Sequence, residues 1–295
     1  MGYIFLLIAL LAGSVKGYCG KMTSGYVNES KDAMLANAIR MAICVVIGFF
    51  ITLLQSGIHA FKVDTTTLLI CTLSGVSSSI FVVSWLISVK KGAYMMMDIF
   101  LMLGLIVPLI GSNILFSESI YPKQWIGLAI LMIAVCIMCS YNNSIKEKMT
   151  ISSLLLLLIC GLSCGLADFS QKLFVEHTDT ITIATFNFYT YIVSTVVLLI
   201  FFTIFSVKGS EESQKIDLMH IFGYIIVMSV CLFVNSYFQT KAAEFLPSAQ
   251  LYPLSKGAGL ILSSLMSAVL FKERLSIKAI VGIILSFCAL LIINL

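Results

Sequence analysis

The sequence predicts an all-α membrane protein of ten transmembrane helices, arranged as two inverted five-helix repeats. Three observations carry that expectation: a composition suited to hydrocarbon, ten apolar segments long enough to span a bilayer, and a self-match between the two halves of the chain.

Of 295 residues, 60% are hydrophobic and only 11% are charged. Soluble domains carry about 25% charged residues, and a chain this long needs more charge than that to face water over its whole surface. Lipid is the expected solvent, which makes this a multi-pass protein of the cell or inner membrane, as a monomer or homodimer. The net charge of +4 is spread along the chain with no basic stripe among aromatics, so nucleic acid is not an expected partner. Nine cysteines lie in apolar runs. Cys136-x-x-Cys139 has the spacing of half a metal or redox motif, but no second pair or histidine cluster accompanies it. All nine are read as reduced thiols acting as small hydrophobes. No metal and no cofactor is expected, and no HExxH, phosphate-binding glycine loop or nucleophile elbow suggests an enzyme.

A span needs about 20 mostly apolar residues. In order, the candidates are 2–25, 35–56, 65–88, 92–115, 122–141, 150–173, 180–206, 217–241, 247–271 and 275–294. They are continuously apolar rather than alternating with period two, which favours helices over a barrel. Met1–Cys19 has the apolar core of a signal peptide but no Lys or Arg before it, so it is expected to be retained as the first span. Gly13, Gly17, Gly20 and Ser24 form a stripe on that span, which lets a neighbouring helix approach closely. Pro108 and Pro253 fall inside spans and mark expected kinks.

At an offset of 155 residues the chain matches itself. Leu115-Phe116-Ser117-Glu118 aligns with Leu270-Phe271-Lys272-Glu273, Gly104 with Gly259, Lys123 with Lys278 and Gly127 with Gly282. Eleven of the 37 ungapped positions from 104 to 140 are identical. A weaker echo links Gly13-x-x-x-Gly17 to Gly161-x-x-x-Gly165. Residues 1–145 and 146–295 therefore read as two copies of five spans. Because five is odd, the second copy must cross the membrane upside down, an architecture that recurs in secondary transporters with the solute site between the halves.

Each half ends in a helix, then Leu-Phe-x-Glu, a short turn and a glycine-bearing helix; in the second half Tyr252-Pro253-Leu254-Ser255-Lys256-Gly257 precedes this. These residues resemble the EamA-like family of the drug/metabolite transporter superfamily over the whole chain. The resemblance implies a transporter, often an exporter, of small organic metabolites or drug-like solutes.

Ionisable side chains at bilayer depth normally face a cavity or a partner. Counted along the helices from the face where the fourth span begins, Asp98 lies ~9 Å deep, Lys16 ~13 Å and Lys256 ~16 Å, within a core about 30 Å thick. These three are expected to line the solute cavity. Lys16 and Lys256 would attract a carboxylate or phosphate, and Asp98 would pair with a lysine or carry a coupling proton. The alternatives are an Asp98–Lys256 bridge that only fixes register and a Lys16 that snorkels to its nearer face. Asn235 and Gln239, four apart on one face, and Asn187 either line the cavity or join helices. Tyr252 either stacks on a ring-bearing solute or packs. Asp168 and Lys172 are read as an interfacial i,i+4 pair, and Glu118 as a cap on the helix that follows it.

Eleven Lys and Arg residues lie near odd-numbered junctions and four near even-numbered ones. The positive-inside rule then puts both termini outside, whereas the family resemblance implies cytoplasmic termini, and the sequence leaves orientation open. The function expected is secondary transport by alternating access, either proton-coupled or by exchange. Flipping of a lipid-linked intermediate is the alternative, and a membrane-embedded enzyme a lesser one.

Overall fold

The computed structural model describes residues 1–24, 26, 30–90, 100–139, 151–177, 181–208, 218–270 and 277–294. Ten helices run through them: α1 (Gly2–Ser24), α2 (Ser30–Ser56), α3 (Thr65–Lys90), α4 (Ile106–Phe116), α5 (Pro122–Cys139), α6 (Ile151–His177), α7 (Ile183–Lys208), α8 (Leu218–Ala243), α9 (Ser248–Leu270) and α10 (Ile277–Asn294). Six are long and apolar enough to cross a membrane, within α1, α2, α3, α6, α7 and α8, and three shorter apolar helices cover Phe100–Phe116, Pro122–Ile137 and Ile280–Asn294. The outward faces are apolar, with Leu54 at 84% exposure and Ile114 at 71%. Asp168, Lys172, Asn187 and Gln239 are buried instead. That inside-out distribution suits a solvent of hydrocarbon.

The fourth span is broken as its proline predicts. A helical stretch from 100 to 103 ends in a turn at 104–105 before α4 begins. Pro108 lacks an N–H and its ring crowds the carbonyl four residues back, that of Gly104. The Gly104 carbonyl is taken instead by the Val107 N–H in a tighter three-residue turn at 3.1 Å. At Pro253, by contrast, α9 is continuous.

The largest interfaces among the described residues join one half of the chain to the other: α1 with α8, α2 with α7, α3 with α6 and α5 with α10. Small residues permit close approach at adjoining contacts. On α3, Gly75 meets the Thr190 carbonyl of α7, and Ser194 Oγ donates to the Gly75 carbonyl at 3.0 Å. On α2, Cys44 Sγ donates to the Ser229 carbonyl of α8 at 3.3 Å. Backbones come nearest where the 100–104 stretch meets α6. A Cβ on Gly161 would lie 2.1 Å from the Phe100 carbonyl oxygen, and one on Gly165 would lie 2.1 Å from that of Gly104.

Cys19, Cys44, Cys71, Cys160 and Cys164 are free and buried, as small hydrophobes should be, whereas Cys136 and Cys288 are free on exposed faces.

Candidate functional site

The charged centre draws its four charged side chains from α1, α2, α6 and α9 and a hydrogen bond from α8. Asp168 lies on α6 one turn after Cys164, and Lys256 lies on α9 one turn after Tyr252. Lys256 Nζ is 2.9 Å from Asp168 Oδ2 and 3.1 Å from Cys164 Sγ. Gln239 Nε2 on α8 donates to Asp168 Oδ1 at 3.2 Å, and the Tyr252 hydroxyl donates to the Asp168 carbonyl at 2.7 Å. Asp168 Oδ2 takes no directional hydrogen bond, so the ammonium charge is its partner there. A lone charge at this depth costs at least about 2.5 kcal/mol. Pairing the two, with a further hydrogen bond to the carboxylate from Gln239 of α8, offsets that cost.

Lys16 on α1 and Arg40 on α2 sit differently. Among the described residues neither makes an ion pair. Arg40 Nε is buried without a hydrogen-bond partner. Lys16 lies within electrostatic reach of both Arg40 and Lys256, and Arg40 within reach of Cys44 and Tyr191.

Of the three residues expected at one depth, Lys16 and Lys256 lie within electrostatic reach of each other. Asp98 lies outside the described residues. Among the described residues the ion-pair partner of Lys256 is Asp168 of α6. Gln239 and Tyr252 are engaged in holding Asp168. Tyr252 is fully buried, so it presents no open ring face for stacking. Asn235 Nδ2 donates to the Ala9 carbonyl at 2.7 Å and ties α8 to α1. Asn187 Oδ1 accepts from Ser236 Oγ at 2.9 Å, and its buried Nδ2 has no partner.

Two residues of the centre escape the sequence reading. Asp168 reads there as the i,i+4 partner of Lys172, but Lys172 Nζ bonds Glu118 at 2.9 Å and Glu176 at 2.7 Å. Arg40 counts in the sequence as a base near a junction, because a span over 35–56 puts it only five residues inside. The helix begins at Ser30, so Arg40 sits about 15 Å along its axis. The signal available was its setting between Ala38-Ile39 and Met41-Ala42-Ile43-Cys44-Val45, apolar on both sides. Arg40 therefore leaves the count of loop bases, which becomes ten against four with the same sign.

Glu118 does cap a helix, but not the next one. Its Oε2 accepts the Ser248 N–H at 2.8 Å, the first residue of α9. Ser117, in the left-handed region with φ 54°, turns the chain so that Glu118 reaches α9 and Lys172. Lys172 also donates to the Ala243 carbonyl at 3.2 Å, so the ends of α4, α6 and α8 and the start of α9 are clasped together.

At the same ends of α6 and α8 a cleft of about 760 Å³ opens, lined by Gln55, Glu176, Thr182, Tyr237, Lys241 and Glu244 among others. Its lining includes none of Lys16, Arg40, Asp168 or Lys256, so cleft and charged centre are distinct features.

Comparison with known proteins adds three findings. Residues 151–295 match the model of the EamA-like transporter family. Over 87 residues the chain is 31% identical to the quaternary ammonium compound-resistance protein QacC of Staphylococcus aureus, covering 30% of this chain and 76% of that protein; QacC of Staphylococcus sp. strain ST827 matches equally. A protein of known crystal structure shares the fold with a TM-score of 0.78 at 12% identity, over 99% of this chain and 95% of its own.

Proposed function

From the premise that this chain belongs to the EamA-like transporter family of the drug/metabolite transporter superfamily, we propose that it is a secondary transporter that carries a small organic solute between two inverted five-helix units. Membership makes it an integral multi-pass membrane transporter. The observation that carries the finer reading is the meeting of buried and half-buried charge from both halves: Lys16 and Arg40 from the first, Asp168 and Lys256 from the second.

The packing is consistent with two inverted units of five spans, residues 1–145 and 146–295. If each helix is exchanged with the one five places on, the α1–α8 interface becomes the α6–α3 interface, and the α2–α7 and α5–α10 interfaces map onto themselves. Neighbour directions agree with inversion as well. On α1, Gly13 faces Asn235 and Gly20 faces Met228, so α1 and α8 run antiparallel.

The equivalent interfaces are not equally closed, which supports alternating access. Gly161 and Gly165 press on the backbone of 100–104, whereas of their counterparts Gly13 meets only the Asn235 side chain at 3.3 Å and Gly17 has nothing within 4 Å of its Cβ position; Gly259 has only Leu10 at 4.0 Å. One side of a pseudo-symmetric pair is locked and the other is splayed. In the opposite state the two exchange, and the centre opens to the other face. The cleft at the ends of α6 and α8 then serves as a vestibule on one face. Asp98 remains the candidate for a coupling proton.

The test is transport by the full chain in liposomes after removal of the central pair. Lys256→Met alone leaves Asp168 buried and unpaired, a loss of about 3–5 kcal/mol. The neutral double variant Lys256→Met/Asp168→Asn removes both charges and should fold while losing transport. Transport at the original rate by that double variant would sink the assignment.

A further inference from the structure

Resting on the transporter reading, we propose that Lys16 and Arg40 are the solute-recognition pair and that the solute is a small organic anion bearing a carboxylate or phosphate group. The four charged side chains of the centre divide into two accounts. Asp168 and Lys256 cancel each other at 2.9 Å, with Gln239 fastening the carboxylate and the Tyr252 hydroxyl the backbone carbonyl of Asp168. Lys16 and Arg40 have no counter-charge among the described residues. Two like charges held near each other among apolar helices repel, and the arrangement becomes favourable when an anion comes between them.

Geometry brings the pair to one place. Lys16 lies between Gly13 and Gly20, which face Asn235 and Met228 of α8. Arg40 lies one turn before Cys44, whose Sγ meets the Ser229 carbonyl of the same helix. Both side chains therefore approach one stretch of α8. Space exists beside them, because the Cβ position of Gly17 meets nothing within 4 Å. Arg40 Nε is a buried donor with nothing to donate to. A guanidinium offers a planar fork that takes a carboxylate or phosphate through two parallel hydrogen bonds, and an ammonium adds a point charge. A quaternary ammonium solute would need the reverse, an unengaged carboxylate, and the Asp168 carboxylate is already held by Lys256 and Gln239. The expected solute thus differs in sign from the compounds in the name of the Staphylococcus relatives.

The purified full chain, reconstituted in liposomes, is assayed for uptake of radiolabelled succinate, glycerol 3-phosphate and tetraethylammonium. The expected result is saturable uptake of succinate or of glycerol 3-phosphate, the arm that responds identifying the group recognised, with no uptake of tetraethylammonium. Lys16→Met and Arg40→Met should each weaken apparent affinity about tenfold or more, as loss of a charge-assisted hydrogen bond does, while eluting as the unaltered protein does on size exclusion. Lys16→Arg should restore it. Uptake of tetraethylammonium instead, or anion uptake unchanged in both Met variants, overturns the anion assignment and leaves the transporter reading standing. If the unaltered protein moves none of the three, the transporter reading fails and the assignment with it.

Discussion

Gly161→Ala puts one methyl group where the structure has no room for it. Its Cβ would lie 2.1 Å from the Phe100 carbonyl oxygen and 2.8 Å from the carbonyl carbon, against an ordinary contact of at least 3.4 Å. The obstacle is backbone on both sides, so no rotamer change relieves it, and the 100–104 stretch and α6 must part by roughly an ångström. Overpacking of this kind costs about 1–3 kcal/mol, and the better helix propensity of Ala returns about 1 kcal/mol at most. Loss of the close backbone approach adds to the cost, for a net destabilisation of about 2 kcal/mol. At Gly17, the first-half counterpart of Gly165, which is as crowded as Gly161, nothing lies within 4 Å, so Gly17→Ala should be neutral or stabilising by up to about 1 kcal/mol. Thermal denaturation in detergent, followed by size exclusion, should place Gly161→Ala a few degrees below the unaltered protein and Gly17→Ala at or above it. If the two variants melt together, the locked-and-splayed asymmetry is refuted. Gly17→Ala should also slow transport despite its stability, because the opposite state closes on that glycine.

Three further outcomes are expected. Ser117→Gly, at the one non-glycine residue with positive φ among those described, should raise thermal stability by about 1 kcal/mol, since L-residues pay roughly that for a left-handed backbone; a fall in melting temperature would contradict it. Glu118→Gln should destabilise by about 1–2 kcal/mol, because it takes one carboxylate from Lys172 while Glu176 remains and weakens the cap on Ser248; unchanged melting would show the clasp to be idle. At the start of α3, hydrogen bonds from the Thr67 hydroxyl and N–H hold the Asp64 carboxyl below its ordinary value. Its folded pKa being depressed, the cap is in place above the ordinary carboxylate value and is lost as pH falls through the lowered one. Amide exchange at Thr67, corrected for its intrinsic pH dependence, should accelerate only in that acid window, and acceleration near neutrality would contradict the cap.

The helices, their order and the lipid-facing composition were legible in sequence because each depends on local facts. About 20 apolar residues either occur in a row or do not, and Pro108 breaks its helix through a carbonyl four residues away. The glycines of the echo at 13, 17, 161 and 165 could likewise be marked as places of close approach. Which of them actually touch a neighbour could not be read, because that depends on how two units tilt. Charge partners needed the fold as well. Asp168 had Lys172 four residues away on its own helix, and the better electrostatic solution lay 88 residues on at Lys256. Arg40 looked like a flanking base because the end of a helix is the least determined part of its pattern, and the five residues between a start at 35 and the start at Ser30 decide how deep it lies. Sequence alone determined that ionisable groups are buried here. The tertiary structure decided which of them cancel and which are left over, since that balance depends on distances between helices far apart along the chain.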